Sequence, residues 1–257
     1  MFDASIMAQV PQPGSVIVSD WHRCKESKEY FNKILHKTKR KNFGLLESPV
    51  MAPHVAVDTF SYKIFISGKS GVGKTAFAAR LAGLSIPNVH HETTGIETTV
   101  VYWPVKLREN GRVLFFRLQF WDCGENALRR FDHLLPSCKE QVDAVLFLFS
   151  FTDRTSFDDL SNQISKWSEP SFGRVVKVVI GTKFDLFMHC DVAERDVRKF
   201  QETWRLPVLC TGGGGEASTG LCDVAPILNC LAENLWHQDC VTAGAAHQQS
   251  EETVTLL

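Results

Sequence analysis

The spacing of apolar positions changes repeatedly along the chain, and each change marks an element. Residues 62–67 (YKIFIS) form a short β-prone run ending at a glycine. Residues 76–83 (AFAARLAG) then take up helical spacing and stop at Gly83, as a C-cap glycine would. The β-rich runs 98–107 (TTVVYWPVKL) and 112–121 (RVLFFRLQFW) flank Asn110-Gly111, a dipeptide suited to a tight hairpin. Residues 144–151 (AVLFLFSF) and 175–181 (VVKVVIG) are apolar without alternation, the pattern of parallel strands covered on both faces. Helical patterns over 153–167, 193–204 and 221–236 alternate with these runs, and 206–210 (LPVLC) adds a last short strand. The series predicts an α/β fold: a doubly wound, mostly parallel sheet with one antiparallel hairpin strand. Its ligand would sit at the carboxyl ends of the strands.

The two ends read differently. Residues 1–18 contain Pro, Gly and Ser and are expected to be disordered. Residues 19–60 are expected to form a helical N-terminal extension and linker, with Asp20 as helix cap and Tyr30, Phe31, Ile34 and Leu35 as one apolar stripe. That stripe suits packing on the chain's own core, docking to a partner, or lying on a membrane surface. The globular domain is placed at 61–240. Residues 241–257, rich in Gln, Ser, Glu and Thr, are expected to be a disordered tail whose end fits the loose pattern read by PDZ grooves.

Composition excludes more than it selects. A formal charge of −1 over 257 residues gives no electrostatic reason for nucleic acid or an anionic membrane. Eight cysteines without a Cys-x-x-Cys pair read as reduced cytoplasmic thiols.

The chemistry enters at Gly68–Thr75, GKSGVGKT, which matches Gly-x-x-x-x-Gly-Lys-Ser/Thr and lies between a predicted strand and a predicted helix. Glycines let backbone amides wrap a phosphate, and the helix start adds partial positive charge. Ser70, Gly71, Val72, Gly73, Lys74, Thr75 and Ala76 are the candidate phosphate-binding residues. Lys74 would reach the outer phosphates and the Thr75 hydroxyl a magnesium ion.

Further motifs lie at the expected strand ends: HHETTGIETT (90–99), WDCGEN (121–126), FTDRTSFDDL (151–160) and GTKFDL (181–186). On these residues the chain resembles the Ras superfamily of small GTPases, closest to its Rab-like branch, over about residues 62–237. The resemblance implies GTP/GDP and Mg²⁺ as ligands, within a P-loop NTPase fold. Thr93, nineteen residues after Lys74, or its neighbour Thr94, would ligate Mg²⁺ and sense the γ-phosphate. Asp122 would hold the metal through water, and Gly124 would offer its N–H to the γ-phosphate. Thr182, Lys183 and Asp185 would read guanine. Glu125 stands where the family places its catalytic glutamine and is the candidate catalytic residue.

Three departures qualify the match. The aspartate–x–x–glycine motif is one residue short at Asp122-Cys123-Gly124. The last base-contacting loop is unrecognisable in CTGGGGEASTG (210–220). Cys240, the final cysteine, is seventeen residues from the end, so no prenylation motif is present. The expectation is a nucleotide-dependent switch or adaptor in a protein complex. It would hydrolyse GTP slowly, have no direct lipid anchor and reach membranes through protein partners. The alternative is a hydrolysis-deficient subunit that holds GTP as a structural ligand.

Overall fold

The structure is a computed structural model and describes residues 11–34, 51, 57–84, 92–124, 140–169, 172–212 and 221–255. Six strands form one sheet: β1 (Asp58–Ser67), β2 (Ile96–Lys106), β3 (Val113–Cys123), β4 (Ala144–Ser150), β5 (Val176–Thr182) and β6 (Val208–Cys210). Their order is β2-β3-β1-β4-β5-β6; only the β2–β3 pair is antiparallel. The Asn110-Gly111 turn closes that hairpin, with Gly111 at φ 67 and Asn110 Oδ1 accepting the Arg112 amide. All seven residues of β4 are buried, as its unbroken apolar run requires.

Helices cover both faces. One core cluster packs β1–β3 against α2 (Lys74–Leu81) and α6 (Leu221–Thr255) through Phe77, Leu81, Leu228 and Leu231. The other packs β4 and β5 against α3 (Arg154–Asp158), α4 (Leu160–Ser165) and α5 (Glu194–Trp204) through Phe157, Leu160, Ile164 and Phe200. The single pattern over 153–167 is thus two short helices. Asp153 caps the first by accepting the amides of Thr155 and Ser156.

The ends differ from the sequence reading. Gly14, Val16 and Ile17 are docked rather than disordered: their amides donate to the buried Glu233 carboxylate of α6 at 2.8, 2.7 and 3.3 Å. Ile17 also bridges Leu107 at the end of the hairpin. The Pro, Gly and Ser that suggest disorder say nothing of its partner, a carboxylate 216 or more positions away and invisible to local composition. Asp20 precedes a 3₁₀ turn, Trp21–Arg23, without a side-chain cap bond, and the helix α1 (Ser27–Ile34) begins later. Trp21 and Phe31 are buried in the core cluster, so the extension packs on its own domain. Leu35 lies outside the described residues.

Helix α6 continues to Thr255, through residues read from sequence as the start of a disordered tail. The Gln and Glu that make this stretch polar are good helix formers, as are the Ala residues among them. Among the described residues, no helix is long and apolar enough to cross a membrane.

Candidate functional site

The carboxyl ends of β1, β3, β4 and β5 converge on the loop between β1 and α2. Gly71 (φ 80) and Gly73 (φ 95) lie in the left-handed region that favours glycine. A Cβ on either would meet nothing within 4 Å, so both face the open side of the loop. Gly68 is constrained differently, since a Cβ there would fall 2.7 Å from the Leu148 carbonyl oxygen. Lys74 is buried; its ammonium arches back over the loop and donates to the carbonyls of Gly68 and Lys69 at 2.8 and 3.0 Å. Ser70 is exposed, Val72 is buried beneath the loop, and Ala76 sits in the first turn of α2. The cradle joins open backbone, an internal ammonium and a helix N-terminus, an arrangement complementary to phosphate.

Thr75, Thr93 and Asp122 meet at one point from three elements. The Thr75 hydroxyl donates to Asp122 Oδ2 at 2.5 Å and lies 3.0 Å from Thr93 Oγ1. Asp122 is 2% exposed, yet its Oδ1 has no hydrogen-bond partner among the described residues. Two hydroxyls and an orphaned carboxylate oxygen form a hard, oxygen-only donor set that fits Mg²⁺. Thr94, the alternative ligand, is exposed. The geometry therefore brings Thr93, not Thr94, to this point.

The base-reading candidates are fastened to the same loop. Thr182 is buried; its hydroxyl lies 2.6 Å from the Val72 carbonyl and 3.0 Å from that of Phe149, as donor. Lys183 adopts a left-handed φ of 57 and donates from Nζ to Gly71 O at 2.9 Å. Asp185 is exposed one residue beyond Phe184, whose ring packs edge-on to Phe151 at 4.9 Å.

Sequence reasoning missed Thr211 and Gly212. The Phe184 amide donates to Thr211 O at 3.2 Å. Gly212 is so close to this segment that a Cβ would lie 2.5 Å from Phe184 N and 2.6 Å from Asp185 Oδ1. The signal was the Thr211-Gly212 pair directly after β6, masked by the glycine run that follows. Residues 213–220 lie outside the described residues.

Two expectations at the second switch need separate treatment. Glu125, the candidate catalytic residue, lies outside the described residues. The Gly124 amide, read as a γ-phosphate donor, donates to the Gly95 carbonyl at 3.1 Å in this structure. It extends the β2–β3 ladder one step beyond the Ile96–Cys123 pair, because the shortened loop leaves Gly124 still in strand register.

Comparison with known proteins agrees with this arrangement. The model of the Ras family matches residues 63–213. The chain is 68% identical over 233 residues to Ciliogenesis and planar polarity effector 2 of Danio rerio, covering 91% of each chain. It is 57% identical over 248 residues to the Homo sapiens protein of that name, covering 93% of this chain and 96% of the relative. Ras-related protein Rab-1D of Dictyostelium discoideum is 24% identical over 166 residues, 65% of this chain and 78% of that one. By the family model over more than half of its length and by relatives at 57–68% identity, the chain belongs to the Ras family of small GTPases.

Proposed function

We propose that the protein is a guanine-nucleotide switch or adaptor that binds protein partners in its GTP-loaded form. The observation that carries this reading is the meeting of Thr93 with Thr75 and Asp122. Thr93 belongs to the first switch segment, so an interaction there transmits the nucleotide state to a surface loop. When bound, Mg²⁺ would neutralise phosphate charge. Thr75, Thr93 and, through water, Asp122 would hold the metal. Ser70 to Ala76 would cradle the phosphates. Lys183 and Asp185 would select the base, and Thr182 would fix their segment to the loop. By likeness to the named relatives, the partners would be subunits of a ciliogenesis and planar polarity effector complex. The setting would be cilium assembly with targeted membrane trafficking and exocytosis, in the cytoplasm at the ciliary basal body.

The test is thermal. Saturating Mg·GTP at a thousand times its dissociation constant adds about 4 kcal/mol, or about 10 °C for a domain of this size. Mg·ATP is expected to leave the melting temperature unchanged. Equal shifts from the two nucleotides would remove the guanine assignment.

Hydrolysis is expected to be slow. The family glutamine orients water, and even with it the intrinsic rate in Ras is only about 10⁻⁴ s⁻¹. A glutamate at 125 would be repelled by the γ-phosphate and lacks the amide donor. Single-turnover measurements should give a rate below that of a glutamine-bearing Rab, with little recovery in Glu125→Gln because the loop remains short. Rapid turnover that disappears in Glu125→Ala would show instead a working carboxylate base.

A further inference from the structure

We propose that the cavity between helix α6 and the amino ends of β4 and β5 is a second binding site, which takes an ammonium or guanidinium group carried on an alkyl stem. It lies at the end of the sheet opposite the phosphate cradle, so it stands apart from the nucleotide reading above.

The cavity holds about 400 Å³, within the range of clefts that accept small molecules. Its lining comes from three places. Residues 140–143 lead into β4, residues 172–175 lead into β5, and α6 contributes Leu235, Gln238, Asp239 and Thr242. Those α6 positions fall at i, i+3, i+4 and i+7, on one face of the helix. Tyr62, Val142 and Leu235 are buried and Phe172 is half-buried, so the deep part is largely apolar.

The charged groups lie nearer the mouth. Glu140, Asp143 and Asp239 supply three carboxylates against one cation of the lining, the exposed Arg174. Lys63, which follows Tyr62, donates its ammonium to the Glu140 carbonyl at 2.8 Å. Two of the carboxylates are fixed in place. Asp143 Oδ2 accepts the Lys63 amide at 2.7 Å, while the Asp143 amide donates to Lys63 O at 2.9 Å. The Tyr62 hydroxyl donates to Asp239 Oδ2 at 2.6 Å. Each carboxylate is thus held by one oxygen, and its other oxygen accepts no hydrogen bond among the described residues. Burial pushes the Asp143 carboxyl up from its ordinary value, and the negative charge of Asp239 adds to the rise.

Two pre-positioned like charges above an apolar floor suit a cation with an apolar stem. The head relieves their repulsion, and the stem covers Leu235 and Phe172. An anion would meet three carboxylates. Lysine and arginine side chains of a partner protein share this chemistry with free small amines.

The experiment follows the Val142, Asp143 and Asp239 amides by NMR in the full isotope-labelled chain. The probes are n-butylguanidinium, n-butylammonium, the neutral isostere n-butylurea, and butyrate. Both cations should shift these amides saturably. Butylurea should bind about tenfold more weakly, the scale of a hydrogen bond to a charged group, and butyrate should leave the amides unmoved. Asp143→Asn and Asp239→Asn should each weaken butylguanidinium about tenfold. Asp239 is exposed on α6, so its variant decides if Asp143→Asn does not fold. N-acetylarginine methylamide separates the two sources. Binding as tight as that of butylguanidinium assigns the cavity to a partner's side chain, and binding of butylguanidinium alone assigns it to a free small cation. Absence of a saturable shift with either cation would overturn the proposal. So would butylurea binding as tightly as butylguanidinium, or undiminished affinity in Asp239→Asn.

Discussion

Asp185→Ala is expected to lower affinity for GTP by about 10–100-fold, the scale of losing hydrogen bonds to a charged partner. Affinity for ATP should change little, so the variant would lose its base preference along with its strength. A carboxylate can accept from both guanine N1–H and the exocyclic amine, whereas adenine presents an acceptor at N1. The surroundings make this position unforgiving. Lys183 is tied to Gly71 O and Thr182 to Val72 O, so the segment bearing Asp185 is fixed relative to the phosphate cradle. Gly212 closes the other side, with room for no side chain beside Asp185 Oδ1. On the proposed reading, Asp185 is the carboxylate the base would meet. Asp185→Asn should transfer preference to xanthosine nucleotides, because the amide can donate to the oxygen that replaces the guanine amine. Competition titrations with the three nucleotides check both variants. Undiminished GTP preference in Asp185→Ala would place base recognition elsewhere.

The legibility of this chain in its sequence followed the range of the interactions concerned. The strand–loop–helix around GKSGVGKT was readable because its chemistry is local. Glycines, lysine and threonine act within eight residues, and the structure places them in one cradle. The hairpin was readable from Asn110-Gly111 for the same reason. Thr93 emerged as one of two candidates; the choice needed the third dimension, since only contact with Thr75 separates it from Thr94. The Gly124–Gly95 bond was not legible, because counting residues in the shortened loop cannot reveal whether the ladder continues past Cys123. The docking of Gly14, Val16 and Ile17 was not legible because their partner, Glu233, lies at the other end of the chain. Helix α6 was cut short because low hydrophobicity was taken for disorder, although a polar segment of good helix formers can extend a packed helix.

Trp103→Ala should cost about 3–5 kcal/mol, the range for emptying a fully buried large aromatic site, and so lower the melting temperature by about 10 °C. Trp103 is 0% exposed and packs edge-on to Phe31 of α1 at 5.2 Å between ring centres. Its indole N–H donates to Asn229 Oδ1 at 2.8 Å, while Asn229 Nδ2 donates to Ser19 O at 2.7 Å. One side chain of β2 thus joins the N-terminal extension to α6. Removing it opens a cavity and leaves the Asn229 oxygen without its donor, two penalties that add. Trp103→Phe retains most of the volume and should cost only the hydrogen bond, about 1–3 kcal/mol. Phe31→Ala separates the extension from the hairpin while leaving Trp103 and Asn229 in contact. It should therefore expose the arm to limited proteolysis before the domain melts. The ranking Trp103→Ala well above Trp103→Phe, read from denaturant unfolding, checks the account. Equal losses in the two would mean that packing around the ring contributes little beyond the hydrogen bond to Asn229.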